Sequence, residues 1–585
     1  MILIPVVGAA WIGLVGPKQR CVTAKLALVI SSLAFLASLW MLKVFLAGGV
    51  DAGFKLQFQC DFLPQLGSSM HFGVDGISLW LILLTNLLTP LAILGSFSAI
   101  SKSVRTYYSL LLLLQAGMTG VFLSLDLLWF YMFFEFTLVP LFLIVGIWGG
   151  PQRTYAAFKL FIYTMLGGVL TFAGVLVIAW FYANYRNEGV WTFSIPELYS
   201  VGLPRSWQMW LFFAMFAGFA VKVPLFPFHT WLPLAHTEAP TAGSVILAGV
   251  LLKLGTYGFF RISLPILDIA SREMAVLIAM LSLVGIIYAA LAAWVQTDIK
   301  KLVAYSSVSH LGFCMLGMFA FNHAGLSGSL LYMINHGIST GALFLIVGMV
   351  YERYHTREFA QLGGLSKKMP LMAFFLIYFS FSSIGLPGLN GFVSEFVILY
   401  SVFTSGDGVT GPLGPTYAII AATGVILSAI YMLYMCQRVL FGPLVEPVVE
   451  HHEGEEKLPI DLSKREWGLL VPLAVLVLAL GVYPKMYFAS TDPAIDQLNQ
   501  RINGRFFANN PTEKRKRNAN ASSRPSCCPT DLSRANAFFN APAVRKGTAA
   551  CLATTDVPLP TCEIRNASHE QCQDGIATLA IQEKP

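Results

Sequence analysis

The chain has 585 residues, of which 56% are hydrophobic and only 12% charged, and its mean hydropathy is positive. Soluble domains carry about 25% charged residues, so this composition excludes an ordinary water-soluble fold and makes a bilayer the natural solvent. The net charge of +7 is small for such a length, and no nucleic-acid partner is expected.

A run of about 20 apolar residues crosses a membrane as a helix, and about fourteen such runs occur. They lie near 2–16, 26–48, 76–99, 107–124, 127–148, 157–183, 207–228, 241–263, 274–295, 301–321, 326–350, 370–402, 415–440 and 467–487. The first is as short as a signal peptide, but no basic residue precedes it and Lys18, Arg20 and Lys25 follow. It is expected to be an uncleaved span. Lys and Arg in short loops stay cytoplasmic; odd-numbered loops hold about seventeen of them, Lys300 and Lys301 included, and even-numbered loops about six, among them Arg261 and Arg272. This places the odd loops inside and both termini on the non-cytoplasmic side of a cell inner (plasma) membrane.

Four charges stand alone inside these runs. Glu135 lies in LLWFYMFFEFTLVPLFLIVGIW, Lys222 in WLFFAMFAGFAVKVPLFPF, Lys253 in TAGSVILAGVLLKLGTYGFF, and Glu395 between Pro370 and Tyr400. Each costs roughly 2.5–3.5 kcal/mol at a bilayer centre unless paired or hydrated. That cost demands a role.

Two of the runs are also interrupted. Pro224 and Pro227 follow Lys222 and remove the amide donors that would reach the carbonyls of Ala220 and Val223, which are expected to turn to water or side chains. Ser383-Ile-Gly-Leu-Pro-Gly-Leu-Asn-Gly391 precedes Glu395. Irregular backbone at membrane depth is tolerated only inside protein or beside a hydrated cavity. Paired broken helices in two halves of a chain mark an inverted-repeat transporter. Lys222 follows Glu135 by 87 positions and Glu395 follows His310 by 85, a spacing that suggests two five-helix repeats.

The fold expected is therefore all-α and polytopic, with about fourteen transmembrane helices, two inverted five-helix repeats and two broken helices. Helices 1–3 occupy residues 1–106, the first repeat (helices 4–8) 107–263, the second (helices 9–13) 274–440, and a C-terminal span 467–487. Residues 490–585 read as a polar, disordered tail opened by Lys514, Arg515, Lys516 and Arg517.

Acids and bases that titrate at similar depth suit a proton relay better than a sodium or solute site. His310 and His336, inside apolar spans, and His229 and His236, after the first break, are candidate relay groups; a packing role for each is the alternative. His71, His323 and His355 fall in loops and carry little weight.

Other chemistries find no support in the sequence. Gly406-Asp-Gly-Val-Thr-Gly411 matches a dinucleotide motif by letter but follows a membrane helix rather than a strand. His451, His452, Glu453, Glu455 and Glu456 cluster in a polar loop and read as solvated surface. Cys21, Cys60, Cys314 and Cys436 lack CxxC spacing, while Cys527, Cys528, Cys551, Cys562 and Cys572 fall in the tail and are an odd number. No metal or bound cofactor is expected in this chain.

The strings FFEFTLVPLF, FAVKVPLFPFHTWLPLAHTEAPTAGSVILAGVLLKLGTYG, DIKKLVAYSSVSHLGF and GLPGLNGFVSEF resemble the antiporter-like membrane subunits of the proton-pumping NADH:quinone oxidoreductase, respiratory complex I, over roughly residues 60–440. The resemblance implies that Glu135 pairs with Lys222, that Lys253 continues the path and that Glu395 leads to the far side. It also implies that NADH, FMN, iron–sulfur clusters and quinone act in partner subunits. One departure is Leu234, where the family commonly has an acid. Two alternatives stay open: a subunit of a multisubunit cation/proton antiporter or membrane-bound hydrogenase, and a non-transporting membrane scaffold.

Overall fold

The computed structural model describes residues 1–14, 19–406, 411–447 and 459–509. Lys18, residues 407–410 of the glycine motif, the loop with His451, His452, Glu453, Glu455 and Glu456, and the tail with Lys514 to Arg517 and its five cysteines lie outside the described residues.

The first helices show how this chain packs in lipid. After α1 (Leu3–Leu14), helix α2 (Arg20–Ala47) buries Ala24, Ala27, Ser31, Ala34, Ser38, Met41 and Phe45 at alternating intervals of three and four residues, while Leu33, Leu36 and Trp40 face outward. Lipid is as apolar as leucine, so association rests on close packing rather than on hiding apolar surface. Small residues along the inner stripe permit that approach.

A hairpin that the helical pattern did not announce follows. Strands β1 (Lys55–Leu63) and β2 (Ser68–Val74) pair antiparallel. Gly67 between them has a φ of 66°, and a Cβ there would lie 1.8 Å from the Trp191 carbonyl oxygen, so only glycine fits. The hairpin delivers Asp75 to the start of α3 (Gly76–Gly95), where its carboxylate accepts the Ser78 amide at 2.9 Å and the guanidinium of Arg261 at 2.7 and 2.8 Å. Arg261, counted above among exposed loop bases, is instead a buried partner.

The first half continues with α4 (Val104–Leu123), α5 (Leu127–Trp148), α6 (Arg153–Arg186), α7 (Arg205–Lys222), α8 (Trp231–Glu238) and α9 (Thr241–Ile266). Helix α5 is interrupted at Thr137, just after Glu135, and Pro140 supplies no amide for the Phe136 carbonyl. The break after α7 departs from expectation at one carbonyl. Ala220 does not turn to water or a side chain, because the Leu225 amide reaches it at 2.9 Å across a wider turn. The neighbouring Val221 carbonyl takes the Trp231 indole N–H at 3.0 Å, which folds the start of α8 back onto the end of α7.

Helix α9 widens twice, into π-helical turns at Leu247–Leu251 and Phe259–Ser263, on either side of Lys253. Such bulges concentrate at functional sites.

The second half comprises α10 (Ala275–Trp294), α11 (Ile299–Met318), α12 (His323–Tyr354), α13 (Pro370–Ile384), α14 (Asn390–Phe403) and α15 (Pro415–Leu440). Between α13 and α14, Gly385 adopts φ 82° and its amide and that of Leu386 return to the last carbonyls of α13, closing that helix. Helices α16 (Lys464–Val482) and α17 (Lys485–Asn509) end the described chain. The tail boundary expected at 490 falls inside α17: Tyr487, Ile495, Leu498 and Ile502 are buried there. Its polar remainder hid the helix from a hydropathy reading.

Ten helices among the described residues are long and apolar enough to cross a membrane, with α1, α13 and α14 shorter. Of the ten, α9 and α12 are buried throughout their apolar windows and pack against each other and against α3. They cross closely: a Cβ on Gly337 would sit 2.8 Å from the Gly249 carbonyl oxygen.

Candidate functional site

Glu135 and Lys222 meet where the interruptions of α5 and α7 face each other. The Glu135 side chain reaches α6 at Gly168, where an added Cβ would lie 2.2 Å from Oε1; the adjacent Gly167 lets α6 touch α7, a Cβ there lying 2.7 Å from the Ala217 carbonyl oxygen. Lys222 is buried, donates to the Phe134 carbonyl at 3.2 Å, and places its ammonium 4.3 Å from the centre of the Phe134 ring. No Glu135–Lys222 ion pair within 4.0 Å is present, and Glu135 Oε1 is buried without a hydrogen-bond partner. The two charges are neighbours through Phe134 rather than a direct bridge. A cavity of about 10 Å³, of the order of one water sphere, lies under Lys222 between Thr137, Thr164 and Trp231 and reaches Leu247 and Leu251 of the first wide turn of α9.

That wide turn also positions Lys253. Its ammonium reaches back five residues to the Ala248 carbonyl at 2.5 Å and lies 2.7 Å from Nδ1 of His336 on α12. The Gly249–Gly337 crossing, one turn from Lys253 on α9 and next to His336 on α12, is what brings the two side chains together. Nε2 of His336 has no hydrogen-bond partner, and its ring centre is 5.8 Å from that of His310 on α11. A second cavity lies between the two imidazoles, lined further by Asn335, Ser339, Ser382 and Ser383.

His310 is held from both ends. Nε2 lies 3.1 Å from Ser383 Oγ and 3.3 Å from Tyr431 Oη, while Nδ1 lies 2.5 Å from Tyr332 Oη. Tyr332 Oη is in turn 2.5 Å from Oε1 of Glu395, whose other oxygen packs on Gly385 in the break. The break is itself tied to α12, for Asn335 donates to the Asn390 carbonyl at 2.7 Å and Ser382 to Asn390 Oδ1 at 2.6 Å.

The structure thus brings Lys253, His336, His310 and Glu395 into one buried cluster. The other two histidines lie apart from it. His236 is fully buried, stacks on Phe344 with ring centres 4.6 Å apart, and has neither nitrogen hydrogen-bonded; Phe344 is about two turns along α12 from His336. His229 sits against Phe226 and Tyr288, with Nδ1 unpartnered.

Sequence reasoning missed Tyr332, Tyr431 and Asn335, residue types that pass unremarked in an apolar span, and gave no role to Ser383 and Asn390 although both lie in the second break. It also missed Lys300, counted as a loop base. Lys300 is buried and donates to the Ala239 carbonyl at 2.6 Å, just beyond α8, while its neighbour Asp298 caps α11 and lies 3.4 Å from Arg357. Among the described residues no three His, Cys, Asp or Glu side chains group as a metal ion would need.

Comparison with known proteins agrees with this architecture. Residues 124–430 match the family described as NADH:quinone oxidoreductase/Mrp antiporter, transmembrane. NADH-quinone oxidoreductase subunit M of Rhodobacter capsulatus is 42% identical over 514 residues, 85% of this chain and 95% of that protein. A chain of respiratory complex I from Thermus thermophilus, solved with bound NADH, superposes with a TM-score of 0.74 at 31% identity, covering 86% of this chain and 98% of the other. A chain of the Mrp complex from Dietzia sp. gives 0.72 at 21% identity over 88% and 98%, a likeness of fold alone.

Proposed function

This chain belongs to the NADH:quinone oxidoreductase/Mrp antiporter transmembrane family, and on that premise we propose that it is a proton-translocating membrane subunit of an NADH:quinone oxidoreductase. The electron-transfer chemistry then belongs to partner subunits carrying NADH, FMN, iron–sulfur clusters and quinone, and this chain contributes the proton path. It is a multi-pass membrane protein; the loop charges favour the inner (plasma) membrane of a cell, with both termini on the non-cytoplasmic side. The oxidoreductase reading is preferred to a cation/proton antiporter because the superposed complex I chain is 31% identical and the superposed Mrp chain 21%, and subunit M of Rhodobacter capsulatus is 42% identical over most of the chain.

What most supports conduction is the run of titratable groups from Lys253 through His336 and His310 to Glu395, buried among α9, α11, α12 and α14. Buried ionisable residues in a bilayer are costly, and scattered ion pairs would suffice if register were the only need. In the proposed cycle, charge movement in a neighbouring subunit changes the separation of Glu135 and Lys222. Their looseness, with no bridge within 4.0 Å, leaves that separation free to respond. Lys222 releases a proton toward the wide turn of α9, Lys253 takes it up and passes it to His336, and Glu395 delivers it to the far side. His236 and His229 are proposed as relays on the opposite flank, near α8.

The test is a reconstituted complex carrying Lys222→Ala. It is expected to assemble with its redox subunits and to lose coupled proton pumping. Unchanged proton-to-electron stoichiometry overturns the reading.

A further inference from the structure

We infer that Tyr332 is the group that carries the proton between His310 and Glu395. The inference rests on the proton-translocating reading above and adds a residue to it. His310 Nδ1 and Glu395 Oε1 are 3.7 Å apart, beyond hydrogen-bond distance, so direct transfer between them has no path. Tyr332 Oη stands between them at 2.5 Å from each.

The donor count fixes how this bridge works. A phenol has one proton to give and lone pairs to accept with. With Glu395 ionised, Tyr332 donates to Oε1 and its oxygen is left to accept from His310, so Nδ1 carries a proton. The other ring nitrogen is held by Ser383 and Tyr431, which keeps Nδ1 aimed at the phenol. When His310 holds a proton on both nitrogens, Nδ1–H breaks as a new O–H bond forms on Tyr332. In the same movement the original phenol proton leaves for Glu395. One proton has left the imidazolium and one has arrived on the carboxylate, and Tyr332 ends as the neutral phenol it began as, its O–H now turned toward His310. The bridge resets once Glu395 has released its proton, when that O–H rotates back toward Glu395 and His310 exchanges its remaining proton from Nε2 to Nδ1, freeing Nε2 to accept the next one.

The phenol is also shielded from competing partners. Tyr332 is buried, and its ring is fixed edge-on between Phe313 and His310, with centres 6.3 and 5.9 Å away. Its ring packing therefore survives loss of the hydroxyl.

Tyr332→Phe in the intact, reconstituted complex removes that hydroxyl alone. General acid–base groups contribute roughly 10²–10⁴-fold, so the coupled turnover is expected to fall tenfold or more while assembly holds, and the solvent deuterium isotope effect on it to rise. Wild-type turnover in Tyr332→Phe with Lys222→Ala impaired overturns the Tyr332 assignment and leaves the pumping reading standing; wild-type behaviour in both overturns the pumping reading as well. A slowed Tyr332→Phe complex with an unaltered isotope effect assigns Tyr332 to packing and overturns the inference. Should Tyr332→Phe fail to assemble, 3-fluorotyrosine at position 332 keeps the shape and makes the phenol more acidic. The isotope effect is then expected to shift, and an unshifted value overturns the inference.

Discussion

Lys253 and His336 lie 2.7 Å apart on the two helices that are buried throughout their apolar windows, α9 and α12. The contact depends on backbone rather than on side-chain attraction, because Gly249, one turn before Lys253, and Gly337, next to His336, let the helices cross closely. Polar residues in such a place are expensive, and the helix geometry has been bent to accommodate them: α9 widens on both sides of Lys253. The first wide turn turns the Ala248 carbonyl toward the ammonium, which gives that charge a second partner.

Gly337→Ala tests that crossing. The new methyl would meet the Gly249 carbonyl oxygen at 2.8 Å, so α9 and α12 must separate by several tenths of an ångström. The expected cost is about 1–3 kcal/mol of stability, as for overpacking in a rigid core. Thermal melting of the purified complex should register it, and proton pumping should fall more steeply than NADH oxidation with artificial acceptors.

Gly385→Ala probes the second break. A residue other than glycine in the left-handed region pays about 1–2 kcal/mol, and here φ is 82°. The added carbon would also lie 2.4 Å from Glu395 Oε2, displacing the carboxylate from Tyr332. Coupled pumping is expected to drop severalfold, with redox subunits still bound; a variant that pumps normally would show that Glu395 does not need its seat on Gly385.

Arg261→Met separates structure from conduction. The Asp75–Arg261 pair is buried and sits at the start of α3, away from the Lys253 cluster. Removing one partner of a buried pair costs about 3–5 kcal/mol because the other is left unpaired. The expected result is poor assembly, measured as the fraction of this chain recovered in the complex, with normal proton-to-electron stoichiometry in whatever assembles.

The parts of this site that could be read from sequence are the parts that break a pattern. Glu135, Lys222, Lys253 and Glu395 interrupt apolar runs, and Pro224, Pro227 and the glycines around Pro387 interrupt helices, so each was visible at once. Tyr332, Tyr431 and Asn335 break nothing, since a tyrosine or asparagine is ordinary in a span, and only the fold shows that they converge on His310 and the second break. Partnership over long separations was equally hidden. Arg261 looked like a loop base because Asp75 lies 186 positions away, and Lys300 because its acceptor is the carbonyl of Ala239. The end of the helical region was misjudged for a different reason: α17 buries a few widely spaced side chains under a polar surface, which a hydropathy threshold cannot see.

The most direct measurement is proton uptake by vesicles reconstituted with the Lys253→Met complex. Methionine fills the same kind of space without a charge; leaving the Ala248 carbonyl and His336 Nδ1 without their donor costs about 1–3 kcal/mol, offset in part by removal of a buried charge that has no acidic partner, so the complex should assemble. If protons cross through this chain, the pumping rate per complex falls at least about tenfold. A Lys253→Met complex that pumps at the wild-type rate and with the wild-type number of protons per NADH would contradict the account.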